Sequence, residues 1–132
     1  SLGSEMCIRD RLSEAGIDFL HISCWDCSWG SSEFPEDERT LTQWFSDRLG
    51  KSVPIISAGG IWSTSDAKAV MANGADMVAV ARAAIGHADW ASHISEENYS
   101  PMKPPFSNHH LLEQGLSETF VDYMRGWDGF VA

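Results

Sequence analysis

Hydrophobic and polar positions along the chain predict strands and helices in alternation. Short apolar runs predict strands at 18–23, 54–58 and 77–80. Apolar residues at helical spacing predict helices near 40–49 and at 65–73, between those strands. The second and third runs are so uniformly apolar that both faces of their strands should be buried. Strands and helices in this order predict an α/β fold with parallel strands.

The stretch from residue 52 to residue 86 has the pattern of one complete βαβ unit. Ser63 stands where a helix N-cap is expected, Asp66 follows at the third helical position, and Gly74 ends the helix. The apolar face predicted for this helix consists of Ala67, Val70 and Met71. Because the crossover between parallel strands is right-handed, the turns after both strands should meet at one edge of the sheet.

Those two turns carry the candidate binding residues of the chain, Gly59 and Gly60 after one strand and Ala81 and Arg82 after the next. Glycine lets backbone N–H groups approach a phosphate closely, and the helix N-termini that follow add partial positive charge. Arg82 would add a full charge and several donors. The simpler alternative is a tight βα turn with a surface arginine. The pattern therefore predicts an anion site without proving one.

Charge and composition narrow the classes of partner. The chain has 132 residues and a formal charge of −10, which argues against nucleic acid and against anionic membrane surfaces as partners. No apolar run approaches the roughly 20 residues of a membrane span, and the start of the chain lacks the apolar core of a signal peptide. We therefore expect a cytoplasmic protein.

The first eleven residues do not fit the pattern of the rest. The run SLGSEMCIRDR at 1–11 looks like translated sequencing-adapter DNA, and we interpret it as a non-native artefact. Residues 12–16 then predict the end of a helix, stopped by Gly16. This gives three predicted segments: the artefact at 1–11, a partial barrel domain at 12–95, and a linker with a helical tail at 96–132.

Cys24 and Cys27 form a C-x-x-C pattern after the first strand. A redox dithiol usually opens a helix directly, whereas a loop pattern follows here, and a zinc site would need two further ligands at suitable spacing. We interpret both cysteines as ordinary loop residues and predict no metal site.

Several histidines and tryptophans are weaker candidates. His21, Ser23 and Phe19 should share one face of the first strand, where a hydrogen-bonded core histidine is favoured over an active-site one. Trp25 and Trp29 either line a substrate approach or pack onto the fold. His87 and His93 show no evident partner in the sequence and are expected on a helix surface.

Two apolar stripes at helical spacing complete the pattern. Leu41, Trp44, Phe45 and Leu49 should form the buried face of the helix near 40–49. In the tail, two short helices are predicted at 108–114 and 117–125, with Ser117 as a cap. The apolar face of the tail should dock on the barrel or on another subunit, and consists of Leu116, Phe120, Val121 and Met124.

The chain resembles the C-terminal part of the old yellow enzyme family of FMN-dependent NADH:flavin oxidoreductases. The matching runs are EAGIDFLHIS at 14–23, VPIISAGGI at 53–61, NGADMVAVAR at 73–82 and ADWA at 88–91. The resemblance implies a (β/α)8 TIM barrel of which this chain holds about strands six to eight. By the same resemblance Gly59, Gly60, Ala81 and Arg82 would bind the FMN phosphate, although the family usually has glycine where Ala81 stands.

The resemblance also implies a reaction in which NADH or NADPH reduces FMN and the flavin then reduces an activated alkene of the enone type. The family's catalytic histidine or asparagine pair and its tyrosine belong to the N-terminal half of the barrel. We therefore predict no catalytic residue in this chain and expect the isolated chain to be inactive. A full-length protein of this kind could also be a homo-oligomer.

Other readings of the residues stay open. Another FMN dehydrogenase or a phosphosugar isomerase would share the same phosphate loops. A non-catalytic module that binds a partner through its C-terminal helices would need no flavin. The tail sequence YMRGW at 123–127 resembles a C-terminal motif whose arginine reaches a neighbouring subunit in some members, but a surface arginine at a helix end is the favoured interpretation.

Overall fold

A computed structural model describes residue 11 and residues 14–50 and 52–132. The described residues form two compact units: those up to residue 61 together with 66–79, and residues 62–65 with 80–132. Of the predicted artefact at 1–11, only Arg11 is among the described residues. The first two residues of the predicted helix end, 12 and 13, also lie outside the described residues. At that end the Ala15 N–H donates to the Arg11 carbonyl over 3.0 Å, and Gly16 has a φ of +76°. The division predicted at residue 95 stays a prediction.

The first unit contains a parallel three-stranded sheet, which confirms the predicted α/β class. Its strands are β1 (Leu20–Ser23), β2 (Ile55–Ala58) and β3 (Met77–Ala79), in the order β1-β2-β3. In the register of the ladder, Ser23 pairs with Ala58 and Ala58 pairs with Ala79. The carboxyl ends of β1, β2 and β3 are therefore level at one edge of the sheet.

Helix α1 (Leu41–Leu49) begins with a capping box and packs against the sheet. The Thr40 hydroxyl accepts from the Gln43 N–H, and the Gln43 side chain accepts from the Thr40 N–H. Leu49 joins a core cluster with the strand residues, against which Leu41 and Phe45 also pack. Only Trp44 departs from the predicted stripe, since its ring lies beside Phe34 and under the Arg39 guanidinium. The fully buried members of this cluster are Ile22, Leu49, Val53 and Ile55.

The prediction that the later strands are buried on both faces is wrong. Along β2, Ile55 and Ser57 are fully buried, whereas Ile56 and Ala58 are only half-buried. On β3, Met77 keeps 47% of its surface exposed. Side chains alternate between the two faces of a strand, and within this unit the core cluster packs on only one of them.

Helix α2 (Thr64–Ala72) follows the glycine turn after β2, as predicted. Ser63 stands directly before it, and its hydroxyl hydrogen bonds the Ser65 hydroxyl over 2.8 Å. Ala67 and Val70 are buried, but Met71 is 44% exposed, so the predicted apolar face is one residue too wide. Positions three residues apart define the centre of a helix face, and Met71 lies at its margin.

A buried pair of hydroxyl groups links α1 to the sheet. Thr42 and Ser57 are 1% and 0% exposed, and their hydroxyl oxygens are 2.8 Å apart. One hydroxyl donates and the other accepts, so each of the two buried side chains has a hydrogen-bond partner. Polar residues at these positions gave no signal in the hydrophobic pattern.

The second unit contains four short helices. They are α3 (Arg82–Gly86), α4 (Trp90–His93), α5 (Asn108–Glu113) and α6 (Glu118–Met124). The last two confirm the helices predicted in the tail, and the Ser117 hydroxyl accepts from the Phe120 N–H over 3.2 Å as the predicted cap. Val121 and Met124 are buried, whereas Phe120 is 40% exposed and its ring lies tilted against that of Tyr123, which corrects the predicted apolar face.

The core of this unit is built around Phe106, which is fully buried. Its ring lies against Phe130 and His110, with ring centroids 5.3 and 5.2 Å away. The Trp90 indole N–H donates to the Trp62 carbonyl over 2.7 Å and satisfies a second buried aromatic side chain. Among the described residues, no helix is both long enough and apolar enough to span a bilayer.

Candidate cofactor-binding site

The turn after β2 holds the two glycines that the sequence singles out. Gly59 has a φ of +135° and Gly60 a φ of +68°, both in the region that favours glycine. The turn lies at the carboxyl edge of the central strand, the edge where ligands bind in open α/β sheets and in TIM barrels. Position and conformation therefore both match a ligand-binding turn.

The loop after β1 holds this turn by its carbonyl groups. The Cys24 N–H donates to the Ala58 carbonyl over 2.8 Å, and the Cys27 N–H donates to the Gly59 carbonyl over 3.1 Å. The Cys27 thiol donates to the same Gly59 carbonyl over 2.8 Å. We call these three hydrogen bonds the turn clamp.

The turn clamp decides where the N–H groups of the turn point. Among the described residues the only cis peptide bond joins Pro104 and Pro105, so the peptides before and after Gly59 are trans. In a trans peptide the carbonyl and the N–H point in opposite directions. The N–H groups of Gly59 and Gly60 therefore point away from the loop that holds the carbonyls. Within the described part of the chain, neither N–H donates to an acceptor.

The loop also fills the space beside both glycines. A Cβ on Gly59 would overlap the Cys24 carbonyl, and a Cβ on Gly60 would lie 2.8 Å from the Asp26 carboxyl carbon. Asp26 is held there by Ser28, whose N–H and hydroxyl donate to one carboxylate oxygen over 2.9 and 2.6 Å. Close approach by the chain's own loop is thus a reason for the glycines that the sequence analysis did not foresee.

The two loop cysteines are free thiols with different surroundings. Burial raises the pKa of the Cys27 thiol to about 11, with smaller contributions from the charge of Asp26 and from Cys24. Because a thiol of this pKa stays protonated at neutral pH, Cys27 acts as a hydrogen-bond donor and not as a nucleophile. The interpretation of ordinary loop residues therefore understates Cys27, and its bond to Gly59 could not be read from the C-x-x-C spacing.

Ala81 and Arg82, the other predicted binding residues, belong to the second unit. They follow β3 along the chain, where Arg82 is half-buried and opens α3. Ala81 has a φ of −123°, which lies outside the left-handed region that favours glycine. The expectation that these residues neighbour the glycine turn stays a prediction.

The weaker candidates of the sequence are mostly corrected. Phe19, His21 and Ser23 are exposed, so the favoured buried histidine is wrong. They share the sheet face opposite the core cluster, which an isolated set of three strands leaves uncovered. Trp25 and Trp29 are 67% and 60% exposed on the loop after β1.

The histidines predicted to lack partners do have them. His87 Nε2 is 2.8 Å from the Met102 carbonyl oxygen. His93 bonds two carboxylates, Asp89 at 3.1 Å and Glu96 at 2.6 Å, and hydrogen bonding to Glu96 is the main cause that raises its pKa. These partners come from turns and irregular segments, which periodicity does not register. In the parts of the chain that the structure describes, no three His, Cys, Asp or Glu side chains are grouped as metal ligands.

A surface cavity of about 490 Å³ is a further feature that the sequence did not indicate. Two aromatic rings and three carboxylates line it: Phe34, Trp44, Glu36, Asp37 and Glu38. Arg39 lies 4.0 Å from the centre of the Trp44 ring, and its hydrogen bond lowers the pKa of Asp37. The cavity lies in the connection between β1 and α1.

The glycine turn has backbone N–H groups that suit a phosphate. Two adjacent N–H groups pointing the same general way, at a turn of positive φ, are the donors that phosphate-binding loops use. The Asp26 carboxylate lies beside Gly60, on the side where a Cβ would be, so a phosphate would have to reach the N–H groups from another side. The residues present are therefore compatible with a phosphate, and the carboxylate limits how it could bind.

Comparison with known proteins identifies the family. The family model described as dihydrouridine synthase (Dus) matches residues 9–126, most of the chain. The chain belongs to the dihydrouridine synthase family. This is a family of flavin enzymes whose domain is a TIM barrel, which agrees with the parallel βα pattern of the first unit. The more specific resemblance to old yellow enzymes stays a prediction.

Three curated relatives are similar over about two thirds of this chain. The probable NADH-dependent flavin oxidoreductase YqiG of Bacillus subtilis (strain 168) is 33% identical over 87 residues, 66% of this chain and 23% of the relative. NADH:fumarate oxidoreductase of Klebsiella pneumoniae (strain 342) is 31% identical over 94 residues, 68% of this chain and 10% of the relative. NADH:acrylate oxidoreductase of Vibrio harveyi is 31% identical over 90 residues, 66% of this chain and 9% of the relative. The chain thus spans less than a quarter of each of these relatives.

Proposed function

We propose that the protein containing this chain is an NADH-dependent flavin oxidoreductase and that this chain binds the phosphate end of FMN. One observation carries the proposal: the turn clamp directs two N–H groups outward at the carboxyl edge of β2. The names of the three relatives, each an NADH-dependent oxidoreductase, supply the chemical context. In this proposal β1, β2 and β3 are the sixth, seventh and eighth strands of an old yellow enzyme barrel.

The proposal gives each binding residue a separate task. The N–H groups of Gly59 and Gly60 would donate to phosphate oxygens. The Ala81 N–H would donate as well, and the Arg82 guanidinium would offset the phosphate charge with a planar set of donors. A local positive group matters here because the chain as a whole carries a formal charge of −10 and attracts no anion over distance.

In this proposal the residues of this chain would bind and orient FMN, and the bound FMN would supply the hydride chemistry. The turn clamp would hold the phosphate end, and thereby the position of the flavin relative to the substrate. We assign no catalytic residue to this chain, and the isolated chain should not turn over NADH.

We propose an activated alkene as the substrate. The relatives named for fumarate and acrylate act on alkenes conjugated to a carboxylate, which is close in chemistry to the enone predicted from the sequence. The family description, dihydrouridine synthase, raises uridine as a second candidate substrate. A uridine within a nucleic acid would bring a phosphate backbone with it. The formal charge of −10 on this chain opposes an RNA backbone, so we favour the small alkene.

The full-length protein tests this function directly. It should be purified with FMN and should oxidise NADH when fumarate, acrylate or an enone is added. Arg82→Gln should weaken FMN binding about tenfold, in line with the loss of about 1.4 kcal/mol for a charge-assisted hydrogen bond, and should leave riboflavin binding unchanged. Arg48→Gln, at an exposed arginine of α1, is the matched control and should change neither.

Two results would contradict the proposal. If the full-length protein contained no flavin, the proposed cofactor would be wrong. If it reduced uridine but no small alkene, the proposed substrate would be wrong. If Arg82→Gln and Arg48→Gln affected FMN binding equally, Arg82 would not be part of the phosphate site, and the proposed flavin cofactor would stand.

A further inference from the structure

Cys27 is the one side chain that takes part in the turn clamp. Its thiol and its own N–H both donate to the Gly59 carbonyl, over 2.8 and 3.1 Å. The other carbonyl of the turn, that of Ala58, accepts from the backbone N–H of Cys24. Cys27 is 4% exposed, so its thiol has little contact with water.

We propose that Cys27 is a positioning residue for the FMN phosphate, because it fixes the peptide whose N–H is that of Gly60. The inference rests on the proposed function and adds a residue that is not among the predicted phosphate ligands. The carbonyl of this peptide is held by two donors, and its N–H points the opposite way as a consequence of peptide planarity. Cys27 itself does not touch the phosphate.

The flexibility of glycine explains why the Gly59–Gly60 peptide has to be held in place. Gly60 has a φ of +68° and no side chain that could restrict it, so its peptide can rotate more easily than that of any other residue type. An N–H donor that rotates freely loses entropy when a phosphate orders it, and this loss weakens binding. Anchoring the carbonyl through Cys27 before the ligand arrives removes part of that loss.

The thiol suits this task better than a reactive cysteine would. It is buried beside Asp26, whose carboxylate is fixed by Ser28, and a thiolate there would face a negative charge. The protonated thiol can donate, whereas a thiolate could only accept and would repel the Gly59 carbonyl. The second residue of the C-x-x-C pattern thus has a structural use that involves no redox chemistry.

The test compares FMN with riboflavin, which lacks the phosphate, in the full-length protein. Cys27→Ala and Cys27→Val both remove the donor, and valine keeps most of the buried volume so that the fold survives. Each should raise the Kd for FMN about three- to tenfold, the range of a net hydrogen bond, and leave the Kd for riboflavin within about twofold. Cys27→Ser keeps a donor and should restore FMN binding to near the wild-type value.

The ³¹P resonance of bound FMN gives a second readout besides affinity. It should shift in Cys27→Val and return towards the wild-type position in Cys27→Ser. Ser32→Ala, at an exposed residue of the same loop, is the control and should shift neither the resonance nor the Kd.

The outcomes separate this inference from the proposed function. If the wild-type protein binds FMN, but the alanine and valine variants lose FMN and riboflavin equally or lose neither, Cys27 has no positioning role and the proposed function stands. If the wild-type protein binds no FMN, both the inference and the proposed function are wrong.

Discussion

At the scale of single residues, Gly59 has a structural role that does not depend on the predicted ligand. The sequence analysis assigned Gly59 to phosphate approach, whereas the structure places the Cys24 carbonyl where its side chain would be. The two roles are compatible, since one flank of the turn faces the loop and the N–H groups face away from it. The amino-acid sequence shows that position 59 is glycine, but it does not show which neighbouring group leaves no room for a larger side chain.

Substitution of Gly59 by alanine should therefore be costly even without a ligand. Its φ of +135° is strained for alanine, and the new Cβ would overlap the Cys24 carbonyl. We expect a loss of about 2–4 kcal/mol in the free energy of unfolding. Gly16→Ala is the matched control: its φ is +76°, no atom of the described residues lies within 4 Å of the added Cβ, and the cost should be about 1 kcal/mol.

Urea unfolding of the full-length protein without flavin measures both variants. Equal losses for the two alanines would mean that the loop moves aside at Gly59 and that the turn clamp is weak.

At the scale of elements, the sequence predicted most of the strands and helices. The helix ends predicted at glycines and the helix cap predicted at Ser117 were correct, because a helix end depends on a few residues that are adjacent in sequence. Burial was predicted less well: Met71 and Met77 are exposed because burial depends on what packs against each face. The partners of His87 and His93 were missed for a related reason, since they lie in turns without periodicity.

Around α4, His93 predicts a pH dependence. Both of its ring nitrogens face carboxylates, those of Asp89 and Glu96, and its ring stacks on Tyr99. Only the protonated ring can donate from both nitrogens, and hydrogen bonding to Glu96 is the main reason that its pKa is raised above the ordinary 6.5. The stabilising contribution should be complete below the unfolded-state pKa and should be lost as pH rises through the higher folded-state pKa.

A titration of the histidine resonances by NMR tests this arrangement. The pKa of His93 should lie above 6.5 in the wild-type protein and should fall in Glu96→Gln, because the hydrogen bond to the Glu96 carboxylate is the main cause of the shift. A titration of His93 at or below its ordinary pKa would show that the two carboxylates do not hold the protonated ring in solution.

At the scale of the whole molecule, family and site stand on different evidence. The match over residues 9–126 gives the family, and the parallel sheet agrees with its barrel fold. The activity belongs to a longer protein, since the chain spans 23% of one relative and 10% and 9% of two others. Resemblance could name four candidate phosphate-binding residues, but only the structure shows that the Cys24 and Cys27 N–H groups and the Cys27 thiol donate to the carbonyls of the turn.

The most direct test of the central claim is a crystal structure of the full-length protein with FMN. The account predicts phosphate oxygens about 2.7–3.2 Å from the backbone nitrogens of Gly59 and Gly60, with the Cys27 thiol still bonded to the Gly59 carbonyl. A phosphate bound elsewhere, with both N–H groups turned to water or to the chain, would contradict it.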